Sequence, residues 1–249
     1  MAGHSHWAQI KHKKAKADIQ RGKLFSKLIR EITVAVREGG ANFEANPRLR
    51  TAVENARKAN MPMETIERAI KKGSGELGSV SYEEVIYEGY GPGGVAVIVL
   101  ATTDNRNRTT SDVRHTFTKY GGNLGSSGCV SYMFERVGYL EVPKDAVSEE
   151  EIYERVIEAG AEDIEFGDVA YTIYTRPETF YSVKENLIRN NIPVENSGID
   201  YRPKSTVQIK DLEMAKRVLK LLDALDELDD VQSVISNFDI PEEVLKETL

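Results

Sequence analysis

The chain is poor in several things, and each shortage excludes a class of protein. One cysteine in 249 residues, Cys129, excludes a disulfide framework and a cysteine-cluster zinc site. Long hydrophobic runs are absent too. The longest, Val95 to Ala101, falls well short of the roughly 20 apolar residues that cross a bilayer and reads as a buried strand. Residues 1–30 are polar and basic, without the apolar core of about 7–15 residues that marks a signal peptide. These absences point to a soluble cytoplasmic protein. What is present suffices to fold: 40% of residues are hydrophobic and 29% charged, a globular balance over a length that suits two or three modest domains.

The net charge of −7 averages two unlike parts. Up to Gly73 there are 16 Lys/Arg against 7 Asp/Glu, a net of +9, and the remainder holds 17 against 33, a net of −16. Such asymmetry suggests a polyanionic partner for the basic end.

Residues 1–20 read as a basic arm carrying Trp7, the sole tryptophan. Leu24, Leu28, Ile32 and Val36 fall four apart and predict a helix over about 23–38, stopped by Gly39-Gly40. Asn46-Pro47 is a helix start, a cap followed by proline at the first helical position. A third helix is expected over about 62–72. Gly73 to Ser81 reads as a linker. Strands at 85–90 and 95–102 flank the turn Gly91-Pro92-Gly93-Gly94. A helix at about 109–120 and a strand at 129–134 follow. Beyond it the order strand (139–142), helix (opened by the Ser148/Glu151 capping box), hairpin (164–174), helix (from Phe180) and strand (194–201) is β-α-β-β-α-β, the ferredoxin-like arrangement. The tail adds a strand at 206–209, a helix at 211–228 and a strand at 231–235.

The fold class expected is therefore α+β and multidomain: a helical N-terminal domain, then two ferredoxin-like α/β domains, one inserted in the other. The divisions are 1–78 for the basic helical domain with its arm, 79–136 plus 204–249 for a discontinuous α/β domain, and 137–203 for the insert. The alternative is three sequential domains.

Sequence signatures of catalysis are few. Gly73-Ser-Gly75-Glu-Leu-Gly78 matches the dinucleotide fingerprint in letters only, because it follows a helix and precedes a strand. The glycines from Gly121 to Gly128 contain no Walker lysine. The four histidines, His4, His6, His12 and His115, lack partners at metal-ligand spacing. Cys129 reads as core in an apolar strand. Asp226, Glu227, Asp229 and Asp230 read as a solvated helix end. No cofactor, no metal and no catalytic residue is expected.

What remains is electrostatic. Lys11, Lys13, Lys14, Lys16, Arg21, Lys23, Lys27 and Arg30 stand against Asp18 alone within residues 11–30. Phosphate backbones reward such a surface through counterion release, and Trp7 beside it could stack on a base. The competing reading is a solvated basic face with Trp7 anchoring the arm. A membrane partner fits poorly, since the apolar stripe is needed for the helical core. Arg106 and Arg108, just after the buried strand and near a helix start, form a candidate anion grip. The competing reading there is a plain loop capped by Asn107 or Thr109, with the arginines paired to nearby acids.

The opening Ala2-Gly-His-Ser-His-Trp-Ala-Gln-Ile-Lys-His-Lys-Lys-Ala-Lys-Ala-Asp18 resembles that of the YebC family. So do Lys23-Leu-Phe-Ser-Lys27, Asn60-Met-Pro62 with Ile66-Glu-Arg-Ala-Ile70, Tyr87-Glu-Gly-Tyr-Gly-Pro-Gly-Gly94 and Thr103 to Thr110. His6 stands where lysine is more usual. The resemblance covers essentially the whole chain and implies three domains and a non-enzymatic regulator. Bacterial members are described as DNA-binding transcriptional regulators. The mitochondrial relative is a translational activator of cytochrome c oxidase, and some relatives act on ribosomes stalled in elongation.

Three functions are thus carried forward. The first is a DNA-binding transcription regulator gripping phosphates with the arm and helix. The second is a translation factor binding ribosomal or transfer RNA, associated with the ribosome. The third is an enzyme with an interdomain-cleft site, in which Arg106 and Arg108 would anchor substrate.

Overall fold

The structure is a computed structural model that describes residues 17–78, 81–167 and 169–248. It is α+β and multidomain. Three helices come first: α1 (Ala17–Gly39), α2 (Pro47–Lys58) and α3 (Met63–Gly73). Ile32, Ala35 and Val36 of α1 close with Leu49, Val53 and Ala56 of α2 and Ile66 and Ala69 of α3 into one small core. Leu24, expected in that stripe, is 44% exposed, and Phe25 packs on the core in its place. Asn46 does more than cap. Its Oδ1 accepts from the Leu49 amide at 3.0 Å, while its Nδ2 donates to the Ala35 and Gly40 carbonyls at 2.7 and 2.8 Å. One buried side chain thus ends α1 and starts α2.

The next elements are β1 (Glu83–Tyr90), β2 (Ala96–Thr103), α4 (Arg106–Lys119) and β3 (Asn123–Leu124). The β1–β2 hairpin turns through Gly93 and Gly94, both left-handed at φ 72° and 74°, a conformation glycine adopts without strain. After it come β4 (Phe134–Pro143), α5 (Glu149–Glu158), β5 (Asp163–Phe166), β6 (Ala170–Thr175), α6 (Phe180–Arg189) and β7 (Asn196–Pro203). The chain closes with β8 (Val207–Gln208), α7 (Leu212–Asp226), β9 (Val231–Ser236), β10 (Phe238–Asp239) and α8 (Glu242–Thr248).

Two antiparallel four-stranded sheets result. One has the order β3-β1-β2-β9, the other β5-β6-β4-β7, and a short parallel pair joins β8 to β10. The unbroken apolar run in β2 follows from burial on both faces. Val97, Val99 and Ala101 face α4 and α7, while Ala96 and Ile98 meet Val130, Phe134 and Ile235 on the other side.

The strand expected over 129–134 does not form. Ser131–Met133 is a single 3₁₀ turn, and Phe134 begins the long β4 of the second sheet. The reason is Glu88, a buried carboxylate that accepts from the amides of Gly128, Val130 and Ser131 at 2.7, 2.9 and 2.8 Å. Those amides are lost to a ladder. Burial alone would raise the Glu88 pKa, but the three donors outweigh it and hold the group below its ordinary value. Cys129 is consequently a half-buried loop residue, its thiol pushed up by burial, and no part of a strand.

The helical unit leans on both sheets. Arg48 of α2 meets Glu31 and Glu38 of α1 and Glu84 of β1 at 2.9, 2.6 and 2.7 Å. Lys184 of α6, 6% exposed, meets Glu54 of α2 at 2.6 Å. Asn55 donates to the Ser197 carbonyl and Lys58 to those of Val194 and Glu195.

Candidate nucleic-acid interface

Trp7, Lys11, Lys13, Lys14 and Lys16 lie outside the described residues. The remaining cations proposed from the sequence lie on α1, and their fates differ. Arg21 is exposed, its guanidinium 5.6 Å from the Phe25 ring centroid. Lys23, Lys27 and Arg30 share one helix face at i, i+4 and i+7, and that face meets the turn between α7 and β9. Lys23 Nζ donates to the Glu227 carbonyl at 3.1 Å. Lys27 Nζ reaches both Asp226 Oδ1 (3.0 Å) and the Asp226 carbonyl (3.3 Å). Arg30 meets Asp230 Oδ1 at 3.0 Å and donates to the Asp229 carbonyl.

The chemistry of that turn explains the match. The last carbonyls of α7 have no helical partners and sit at the negative end of its dipole. Two lysine ammonium groups satisfy them from another domain. Of the acids read as a solvated helix end, Glu227 and Asp229 are exposed and offer only their carbonyls, while the carboxylates of Asp226 and Asp230 are a docking point for α1, and Asp230 is only 6% exposed.

Asp230 also organises the second motif. Its Oδ2 accepts from Arg108 at 2.7 Å, from the Thr109 hydroxyl at 2.7 Å and from the Thr103 hydroxyl at 3.2 Å. Burial would raise its pKa, but the bonds from Arg108 and Thr109 and the charges of Arg30 and Arg108 prevail and hold it below the usual carboxylate value. Arg108 meets Asp104 as well, at 2.9 Å. The helix begins at Arg106 rather than near Thr109, because Asn105 is the cap: its Oδ1 accepts from the Arg108 amide at 3.1 Å. Thr109, one of the caps proposed, instead points inward to Asp230.

The paired arginines thus part company. Arg108 is committed to two aspartates. Arg106 is 63% exposed, with Glu83 at 3.6 Å. One turn and two turns further along α4 lie Thr110 and Arg114, and among the described residues the exposed Arg114 side chain has no ion pair or hydrogen bond. Helix α4 carries Arg106, Arg108, Arg114 and Lys119 against Asp112, a basic element within the acidic part of the chain. Also among the described residues, no group of His, Cys, Asp or Glu is placed to hold a metal ion, and no helix is long and apolar enough to cross a membrane.

Sequence reasoning missed Asp230, Asp226 and the carbonyls that receive the α1 cations. The available signal was Asp230 directly before Val231, the buried first residue of β9.

The sequence features and three-unit organisation now have counterparts. Residues 5–76 match the TACO1/YebC protein N-terminal domain, and residues 82–238 match the TACO1/YebC second and third domain. The chain belongs to the TACO1/YebC family. It is 70% identical over 246 residues to a protein of Aquifex aeolicus named a probable transcriptional regulatory protein, covering 99% of each chain. A protein of the same description from Sulfurihydrogenibium is 59% identical over 247 residues, covering 99% of this chain and 98% of the relative. The crystal structure of a conserved hypothetical protein from Aquifex aeolicus, 70% identical, superposes with a TM-score of 0.90 over 96% of this chain and 99% of that one. For this TACO1/YebC member, the α1–Asp230 contact is the geometry any account of its basic end must accommodate.

Proposed function

We propose that this protein is a non-enzymatic, nucleic-acid-binding regulator, a DNA-binding transcriptional regulator that holds the phosphate backbone with its N-terminal arm. The observation that carries this reading is the segregation of charge, +9 up to Gly73 against −16 beyond it. A cationic front end draws phosphates and releases counterions, while an anionic body limits indiscriminate adhesion. The names of the Aquifex and Sulfurihydrogenibium relatives support a role in transcription.

On this reading Lys11, Lys13, Lys14, Lys16 and Arg21 make the phosphate contacts and Trp7 stacks on a base. Lys23, Lys27 and Arg30 hold the arm's base against the acidic turn and reach phosphate only by leaving it. The domain division belongs to the same proposal: residues 137–203 form a ferredoxin-like module inserted between 79–136 and 204–249. The strand order β5-β6-β4-β7 and the placement of β9 beside β2 support it.

The test is crosslinking in cells followed by sequencing of both recovered DNA and recovered RNA. Enrichment at promoter DNA is expected. Recovery of ribosomal or transfer RNA in its place would move the protein to translation, and recovery of neither would overturn nucleic-acid binding.

A further inference from the structure

A second cationic surface lies on α4. β3 pairs with β1 only at Gly89 and Tyr90. The sheet edge at Glu83–Tyr87 is therefore open, and α4 packs against β1 beside it. Between them is a groove of about 230 Å³, bordered by Arg106, Thr110 and Arg114 on the helix, Ile86 on the strand, and Leu124 and Ser127 on the loop beyond. The three helical residues are spaced i, i+4 and i+8, so they form one stripe along the wall. Ile86 is 47% exposed. The Glu88 carbonyl accepts from the Gly125 amide, and two residues away Ile86 turns its own backbone groups to the same edge.

The charges in this groove favour an anion. The acid on the wall, Glu88, already has its carboxylate taken by three backbone amides. Glu83 at the rim lies 3.6 Å from Arg106 and is itself 47% exposed, an ion pair of the kind water and salt weaken. Among the described residues Arg114 has no partner to give up. Two guanidinium groups, the Ser127 hydroxyl and a strand edge are the donors that proteins use on phosphate oxygens, while the Thr110 hydroxyl between the arginines already donates to the Arg106 carbonyl at 2.7 Å. Ile86 and Leu124 add apolar surface for the sugar between them.

We propose that the groove between α4 and the open edge of β1 binds single-stranded nucleic acid through its phosphodiester backbone, with Arg106 and Arg114 as the phosphate contacts. This rests on the nucleic-acid reading above and adds a second footing, separate from the arm. Arg108 is not part of it. Its bonds to Asp104 and Asp230 set the first turn of α4 and so aim Arg106.

The experiment measures affinity across a salt series for fluorescein-labelled U12 RNA and dT12 DNA. It compares the full chain, the double variant Arg106→Ala/Arg114→Ala, and the arm variant Lys11→Ala/Lys13→Ala/Lys14→Ala/Lys16→Ala, with Tm recorded for each. Both arginines are exposed, so the double variant should melt with the parent. Its affinity should drop about tenfold or more at 0.1 M salt, and the slope of log K against log salt should flatten by about 1.4–1.8, the value of two phosphate contacts. Loss with U12 alone identifies RNA as the source of the phosphodiester, and loss with dT12 alone identifies DNA. If the double variant matches the parent while the arm variant loses binding, the groove is overturned and the regulator reading stands. If the parent binds neither oligonucleotide in a salt-dependent way, the groove is overturned, and the regulator reading stands or falls on recovery of promoter DNA by crosslinking. A decaglutamate peptide that binds the parent but not the double variant, with both oligonucleotides unaffected, would overturn the groove as a nucleic-acid site and make it a dock for acidic protein.

Discussion

Helices α1 and α4 are both basic, yet Lys23, Lys27 and Arg30 of the one and Arg106 and Arg114 of the other are in opposite states. On α1, Lys23, Lys27 and Arg30 each meet an acidic residue or a helix-end carbonyl of the α7–β9 turn. On α4, Arg114 is unpaired among the described residues and Arg106 holds only a rim glutamate. A count of lysines and arginines barely separates the two helices, five on α1 and four on α4. The fold separates them, because a cation already facing a carboxylate must give up that contact before it gains a phosphate. Charge segregation along a chain gives the sign of a partner, and the tertiary pairing decides which residues are free to meet it.

The carboxylates show the same contrast. Asp230 is buried and Asp200 half-buried. Asp230 receives two arginines and is held below the ordinary carboxylate value. Asp200, on β7, has only the Ser233 hydroxyl and the Tyr201 amide, each at 2.9 Å, and burial dominates, pushing its pKa up to about 6. One aspartate is tied to the interdomain contact, and the other weakens the chain at neutral pH.

The largest effect on stability should come from Asp230→Ala. It removes the carboxylate shared by Arg30, Arg108 and two threonine hydroxyls, leaving Arg108 only Asp104 and Arg30 only the Asp229 carbonyl, and breaking a buried pair costs about 3 kcal/mol. Urea denaturation measures this, and an unchanged midpoint would detach α1 from the turn. The contribution is present above the unfolded carboxylate value of about 3.9 and disappears as pH falls through the lower folded value.

Asp200→Asn should act in the opposite direction. Between about 3.9 and about 6 the folded chain keeps a proton that the unfolded chain has lost, so stability falls as pH rises through that window. The variant should therefore be more stable than the parent by about 2 kcal/mol at pH 8 and equal to it below pH 4. Thermal melts at the two pH values check this, and a gain of equal size at both would refute it. Lys27→Ala should be smallest, a loss of about 1 kcal/mol, because its pair with Asp226 is partly solvated at 17% and 16% side-chain exposure.

Much of the fold was legible because its signals are local. Asn46-Pro47, the Ser148/Glu151 box and the glycine turn at 91–94 each act over a few residues, and all form where expected. The errors came from distance in sequence. Cys129 to Phe134 has the composition of a strand, but Glu88 some 40 residues earlier takes its amides. Asp226 to Asp230 has the composition of a solvated helix end, but about 200 residues separate these acids from the α1 cations they face. Thr109 resembles a cap until Asp230, on another strand, draws it inward. Nothing in the local pattern distinguishes Arg108 from Arg106. Their separation follows from the helical rotation of α4 relative to two different strands.

The most direct test of this account compares salt slopes for DNA binding by two lysine variants. Replacing Lys11, Lys13, Lys14 and Lys16 with alanine should flatten the slope by about 2.8–3.6, four contacts' worth, with Tm unchanged. Replacing Lys23 and Lys27 should leave the slope at the parent's value while lowering Tm. A slope that falls as much per lysine for the second variant as for the first would contradict the claim that the acidic turn already occupies the α1 cations.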